Sequence, residues 1–207
     1  MNYQLRTWSE CLDSLGRALE AAPHDARRED SWLLVYGSML DDPPFHAKEQ
    51  RPATLEGWER LLCLADPKMR GTERRPGLSL GLVRGGHCRG LAYRLSASTV
   101  REDLERVWRR EMVLPFYVPC WLQVHTPGGV LHALTFCTDL DGPLFEGAVE
   151  EAALLERLAT CEGENGSNAD YLETTVRQLK QVGIPDEGLA HLLERVRLTR
   201  AALSGRG

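Results

Sequence analysis

Twice between residues 78 and 138, two apolar segments of strand length meet at adjacent glycines, Gly85-Gly86 and Gly128-Gly129. Adjacent glycines can supply the positive φ of a tight hairpin, and alternating apolar segments on either side read as paired strands. The pattern predicts one hairpin joining residues 78–83 to 88–95. It predicts a second joining 117–125 to 130–138 through Pro127-Gly128-Gly129. A chain with such a centre must build an antiparallel sheet, and the rest of the sequence has to cover or close it.

The flanking segments supply that cover. Thr7-Trp8-Ser9-Glu10 has the spacing of a capping box, and Leu12, Leu15 and Leu19 follow at helical intervals up to Pro23. Trp32-Leu33-Leu34-Val35-Tyr36 is a buried-strand run that ends on Gly37-Ser38, before the loop Asp41-Asp42-Pro43-Pro44. Residues 55–65, around Trp58, read as a further strand. Between the two hairpins, residues 98–111 lack internal glycine and proline and have capping-box spacing at Thr99 and Glu102, which predicts a helix.

Beyond Phe145 the period becomes helical, with Ala152, Leu155 and Leu158, then Tyr171, Thr175 and Leu179, then Leu189, Leu193 and Val196. Gly163-Glu164-Asn165-Gly166 and Gly183-Ile184-Pro185 separate these three segments. The fold class expected is α+β: a small, largely antiparallel, closed or curled sheet of about six strands, covered by helices and followed by a helical C-terminal tail. At 207 residues the chain fits one domain, residues 31–204, preceded by an N-terminal helical extension, residues 1–30.

Composition narrows the partners. Twenty-five Lys and Arg against 30 Asp and Glu give a net charge of −5, which argues against nucleic acid and against an anionic membrane surface. No apolar run approaches the ~20 residues of a bilayer span, and the N-terminal residues lack a signal-peptide pattern, so a cytoplasmic protein is expected. The six cysteines Cys11, Cys63, Cys88, Cys120, Cys137 and Cys161 form no Cys-x-x-Cys pair and are expected to be free thiols. His87-Cys88 is too local to make a metal site, so no metal is expected. Composition leaves the oligomeric state open.

One acidic residue stands out. At ~100° per residue, Val100, Leu104 and Val107 form the inner stripe of the predicted helix, and Glu111 returns to within about 20° of it. Burial and the negative end of the helix dipole both disfavour its charge, with Arg109 and Arg110 opposing in part; a carboxyl raised in this way suits proton transfer near neutral pH. The plainer alternative is a frayed helix end with Glu111 in water beside an arginine. Glu102, Asp103, Glu105, Asp41 and Asp42 fall on polar faces or loops, where solvation explains them. Tyr36-Gly37-Ser38, leaving a buried strand, can turn consecutive N–H groups toward an anion, although an ordinary strand-ending turn has the same composition.

Together these pieces resemble the ChaC-like γ-glutamylcyclotransferase family. The matching residues are Val35-Tyr36-Gly37-Ser38-Met39, Arg70-Gly71-Thr72 with Arg75-Pro76-Gly77-Leu78, Gly85 to Arg94, Arg110-Glu111-Met112, and Asn168-Ala169-Asp170-Tyr171-Leu172. The resemblance covers roughly residues 31–200. It implies a γ-glutamylcyclotransferase-like fold and cleavage of glutathione to 5-oxoproline and cysteinylglycine, by attack of the glutamyl α-amine on its own γ-carbonyl, with no cofactor. Another γ-glutamyl compound as substrate, or a non-catalytic module that senses one, are the alternatives.

By the same resemblance Glu111 is the catalytic residue, and the loop Tyr36, Gly37, Ser38 and Met39 holds the substrate α-carboxylate. Arg70, Tyr117 and Tyr171 line and orient. The family's loop often reads Tyr-Gly-Ser-Leu with tryptophan soon after, whereas Met39-Leu40-Asp41 stands here. The first 30 residues match no motif.

Overall fold

A computed structural model describes residues 3–23, 30–40 and 42–205. Asp41 therefore lies outside the described residues, as do residues 24–29 of the N-terminal extension. The chain divides into two compact units, one built from the chain up to Arg60 with Gly81–Pro143, the other from Leu61–Leu80 with the chain from Leu144 on.

The first unit contains helix α1 (Trp8–Glu20), strand β1 (Ser31–Val35), helix α2 (Val100–Glu111), and strands β4 (Tyr117–Thr126) and β5 (Gly129–Thr138). Two long strands, β2 (Ala47–Asp66) and β3 (Gly77–Leu95), run through both units. The strands close in the order β1-β3-β2-β4-β5. β1 pairs with β3, β2 with β4 and β4 with β5 antiparallel, and the barrel closes where β1 meets β5 in parallel at Trp32↔Ala133 and Leu33↔Leu134. Closure removes the unpaired sheet edges. The α+β expectation holds, with five barrel strands in place of about six.

The difference lies in the first predicted hairpin, which does not exist: residues 77–95 are one continuous strand. Neither Gly85 nor Gly86 has positive φ. A Cβ on Gly85 would sit 2.3 Å from the Glu59 carboxyl, so glycine here admits close approach of another strand's side chain and does not turn the chain. The second hairpin forms as predicted, in register from Tyr117↔Thr138 to Thr126↔Gly129, and Gly129 has φ 107°. β2 starts eight residues before the predicted strand, because the polar stretch 47–54 joins the ladder.

α1 begins with the expected capping box between Thr7 and Glu10 and buries Cys11, Leu15 and Ala18. α2 buries Leu104, Val107 and Trp108, the last meeting Phe136 edge to face at 5.1 Å. Its predicted capping box is not made. The Thr99 hydroxyl donates to the Asp103 carboxylate at 2.8 Å, and Glu102 pairs with Arg106 at 2.7 Å. Asp103, expected on a solvated face, is only 1% exposed and also takes a hydrogen bond from Arg106 at 3.0 Å.

The second unit holds the tail helices α3 (Glu151–Thr160), α4 (Asn168–Gln181) and α5 (Glu187–Ser204), with a two-stranded ribbon, β6 (Glu162–Gly163) and β7 (Gly166–Ser167), before α4. Leu158, Tyr171, Thr175, Leu179, Leu193 and Val196 are buried, as their spacing predicts. Asn168 is fully buried and makes a backbone-like pair with Leu78, its Oδ1 accepting at 2.6 Å and its Nδ2 donating at 2.8 Å. All six cysteines are free thiols, and no helix among the described residues is long and apolar enough to cross a membrane.

Candidate active site

Glu111 is the last residue of α2 and completes the stripe of Leu104 and Val107, leaving its side chain 14% exposed. Burial pushes its carboxyl up to about 7, against the opposing charge of Arg110. The alternative of a frayed end in water is set aside by this burial. Arg109 does not share in the opposition: its guanidinium stacks over the Trp8 ring, 3.7 Å from the centroid.

The end of α2 is fixed from the N-terminal side as well. Arg6 donates to the carbonyls of Met112 and Tyr117 at 3.3 and 3.2 Å, and the Arg6 N–H donates to the Val113 carbonyl at 2.9 Å. The segment before α1, which matched no motif, thus satisfies the C-cap carbonyl of α2 and ties down the chain that follows it as far as the start of β4. Beneath α1 lies a cavity of about 530 Å³, bordered by Arg6, Ser14, Arg17, Met112, Tyr117 and Val118.

β1 delivers the loop. Tyr36 is buried and its hydroxyl donates to the Phe136 carbonyl at 2.7 Å, fixing the ring within the barrel. A Cβ at Gly37 would meet nothing within 4 Å, so the chain there borders open space. Ser38–Leu40 form one 3₁₀ turn, closed by Leu40 N–H to the Gly37 carbonyl at 3.0 Å, and Met39 is buried. In such a turn the leading N–H groups have no partner inside it.

Two arginines hold this loop by its carbonyls. Arg60 Nε donates to the Tyr36 carbonyl at 2.7 Å and its Nη2 to the Arg89 carbonyl at 2.6 Å. Arg110 donates from Nη1 to the Asp42 carbonyl at 2.7 Å and from Nη2 to the Ser38 carbonyl at 3.1 Å, while its Nε lies 3.3 Å from Glu111 Oε1. One guanidinium therefore spans the Glu111 carboxyl and the 3₁₀ turn. Neither arginine was singled out from the sequence as a loop partner; only the adjacency of Arg110 to Glu111 was available there.

The remaining predicted residues fall elsewhere. Tyr117 opens β4, with its ring 5.7 Å from Phe116 and 6.2 Å from Phe136, and borders the cavity under α1. Arg70 and Tyr171 belong to the second unit, where the Arg70 guanidinium lies over the Tyr171 ring at 4.7 Å. The Tyr171 hydroxyl accepts from the Leu80 N–H at 3.2 Å, and Arg70 Nη1 donates to the Asn165 carbonyl at 2.5 Å. Among the described residues no group of three or more His, Cys, Asp or Glu is placed to hold a metal ion. What the first unit assembles is a raised carboxyl beside a loop of main-chain donors, an arrangement suited to moving a proton next to a bound anion.

Known proteins are similar to this chain. The ChaC-like protein family model matches residues 31–199. The glutathione-specific gamma-glutamylcyclotransferase of Escherichia coli (strain K12) is 35% identical over 185 residues, covering 87% of this chain and 80% of that protein. Glutathione-specific gamma-glutamylcyclotransferase 1 of Homo sapiens is 26% identical over 180 residues, 84% of this chain and 81% of that one. A crystal structure of a gamma-glutamyl cyclotransferase specific to glutathione, from yeast, aligns with a TM-score of 0.74 over 84% of this chain and 98% of its own, at 22% identity, which bears on the fold. Since the family pattern runs from the strand that presents the Tyr36 loop through nearly all of the last helix, the chain belongs to the ChaC-like protein family.

Proposed function

We propose that the protein is a γ-glutamylcyclotransferase that cleaves glutathione to 5-oxoproline and cysteinylglycine. The glutamyl α-amine attacks the γ-carbonyl carbon, a C–N bond closes the five-membered lactam, and the amide bond to cysteine breaks as its nitrogen takes up a proton. Atoms balance without water or an external nucleophile, so the reaction needs orientation and proton transfer more than added chemistry. Glu111 accepts the proton from the α-ammonium and returns it to the leaving amine. The main-chain N–H groups of the Tyr36-Gly37-Ser38-Met39 loop hold the α-carboxylate, which explains a strand that stops on a glycine and a hydroxyl. Tyr117, in the same unit as Glu111 and the loop, lines and orients, and the reaction proceeds in the cytoplasm with no cofactor.

The observation that supports this reading best is the Glu111 carboxyl, withdrawn from water, pushed up to about 7, and joined to the loop through one guanidinium. The similarity to relatives named as glutathione-specific adds the substrate. Incubation of the purified protein with millimolar glutathione, followed by mass detection, is expected to release 5-oxoproline and cysteinylglycine in equal amounts. Turnover of other γ-glutamyl amines alone would replace the substrate, and binding without turnover would replace the enzyme with a sensing module.

A further inference from the structure

We propose that Arg110 is a positioning residue that sets the spacing between the Glu111 carboxyl and the turn Ser38–Leu40. The inference rests on the roles given to that carboxyl and to the loop of that turn above. A guanidinium is a flat, rigid fork with donors on three nitrogens, and all three nitrogens of Arg110 are engaged: Nε toward Glu111, Nη1 on the Asp42 carbonyl, Nη2 on the Ser38 carbonyl. Its shape therefore fixes how far the proton acceptor stands from the turn. It also fixes the turn's orientation, because drawing the Ser38 carbonyl toward Arg110 leaves the Met39 N–H of the same planar peptide facing the other way.

Arg60 provides the control within the same unit. It holds the loop at the Tyr36 carbonyl through Nε and reaches the Arg89 carbonyl through Nη2. The charges around Glu111 separate cleanly. Arg110 is the charge acting on it among the described residues, Arg109 turns to Trp8, and Arg6 is directed to the Met112 and Tyr117 carbonyls. Removing Arg110 should thus alter both the distance and the proton affinity of Glu111, whereas removing Arg60 should loosen the loop and the Arg89 carbonyl and leave the charge beside Glu111 in place.

The test compares Arg110→Met, Arg110→Lys and Arg60→Met with the native protein, reading kcat and KM for glutathione across pH and the Glu111 titration by carboxyl carbon NMR without substrate. Loss of the fork in Arg110→Met should lower kcat/KM at neutral pH on the order of a hundredfold, the scale of a misplacement of about 1 Å. Loss of its charge should move the low-pH limb of the profile, which Glu111 sets as the base, and the Glu111 midpoint, up by about one pH unit. Arg110→Lys keeps a charge without the fork, so kcat/KM should fall while the limb stays. Arg60→Met should raise KM with the limb unmoved. Native kcat/KM in Arg110→Lys, or an unshifted limb in folded Arg110→Met, would overturn the proposal. If Arg110→Met does not fold, Arg110→Lys decides. A native protein inert toward glutathione would remove the functional reading, and the NMR midpoints would still decide whether Arg110 governs Glu111.

Discussion

Asp103, in the first turn of α2, and Glu111, in its last, are both withdrawn from solvent, yet the fold treats them differently. Asp103 accepts from the Thr99 hydroxyl at 2.8 Å and from Arg106 at 3.0 Å, at the helix end where the dipole favours negative charge. Glu111 sits at the opposite end, where the dipole disfavours that charge. Arg110 Nε lies 3.3 Å from its carboxylate and belongs to a guanidinium already shared with two main-chain carbonyls. Burial alone does not make a carboxyl reactive. Matched donors turn Asp103 into a structural tie, whereas thin compensation leaves Glu111 able to take and give a proton near neutral pH.

The contrast can be broken from either end of the helix. Replacing Glu111 by Gln keeps the shape and removes the base, so kcat for 5-oxoproline release should fall about a thousandfold, about 4 kcal/mol in the barrier, with the fold intact. Native turnover in that variant would make the two carboxyls equivalent. The same variant sharpens the comparison through stability. Because the folded-state value lies above the ordinary 4.5, the folded chain holds a proton that the unfolded chain has released. That contribution is fully present below pH 4.5 and is lost as pH rises through about 7. Glu111→Gln should therefore gain on the native protein by about 3 kcal/mol across that window, read from urea midpoints at each pH.

Effects at the other end are smaller and purely structural. Asp103→Asn leaves Arg106 and Thr99 facing a poorer, uncharged acceptor, and should cost about 2 kcal/mol of stability while turnover is retained. A kcat that falls with Asp103 would erase the distinction between the two ends. Smallest is Thr99→Ala, which removes one donor to Asp103 and should cost about 1 kcal/mol by the same denaturation measurement.

What could be read before folding depended on the range of the interactions. The Thr7–Glu10 capping box, the helical stripe ending on Glu111 and the turn at Gly129 are set by residues within a few positions of each other, and each formed. Gly85-Gly86 gave the same local signal as Gly128-Gly129, but its meaning depends on Glu59 of β2, which no local pattern announces. Asp103 looked solvated because its burial depends on how α2 packs in three dimensions. Of the site, the carboxyl and the glycine loop were visible as types. The arginines that hold the loop act across 24 residues for Arg60 and 72 for Arg110, a separation at which sequence spacing carries no geometry.

The central claim is a carboxyl that changes charge near neutrality because the fold keeps it dry. Carboxyl carbon NMR of the native protein, with Glu111 assigned by comparison with Glu111→Gln, reads this directly. A titration midpoint at about 7 is the result required, and a midpoint at the ordinary 4.5 would contradict the account.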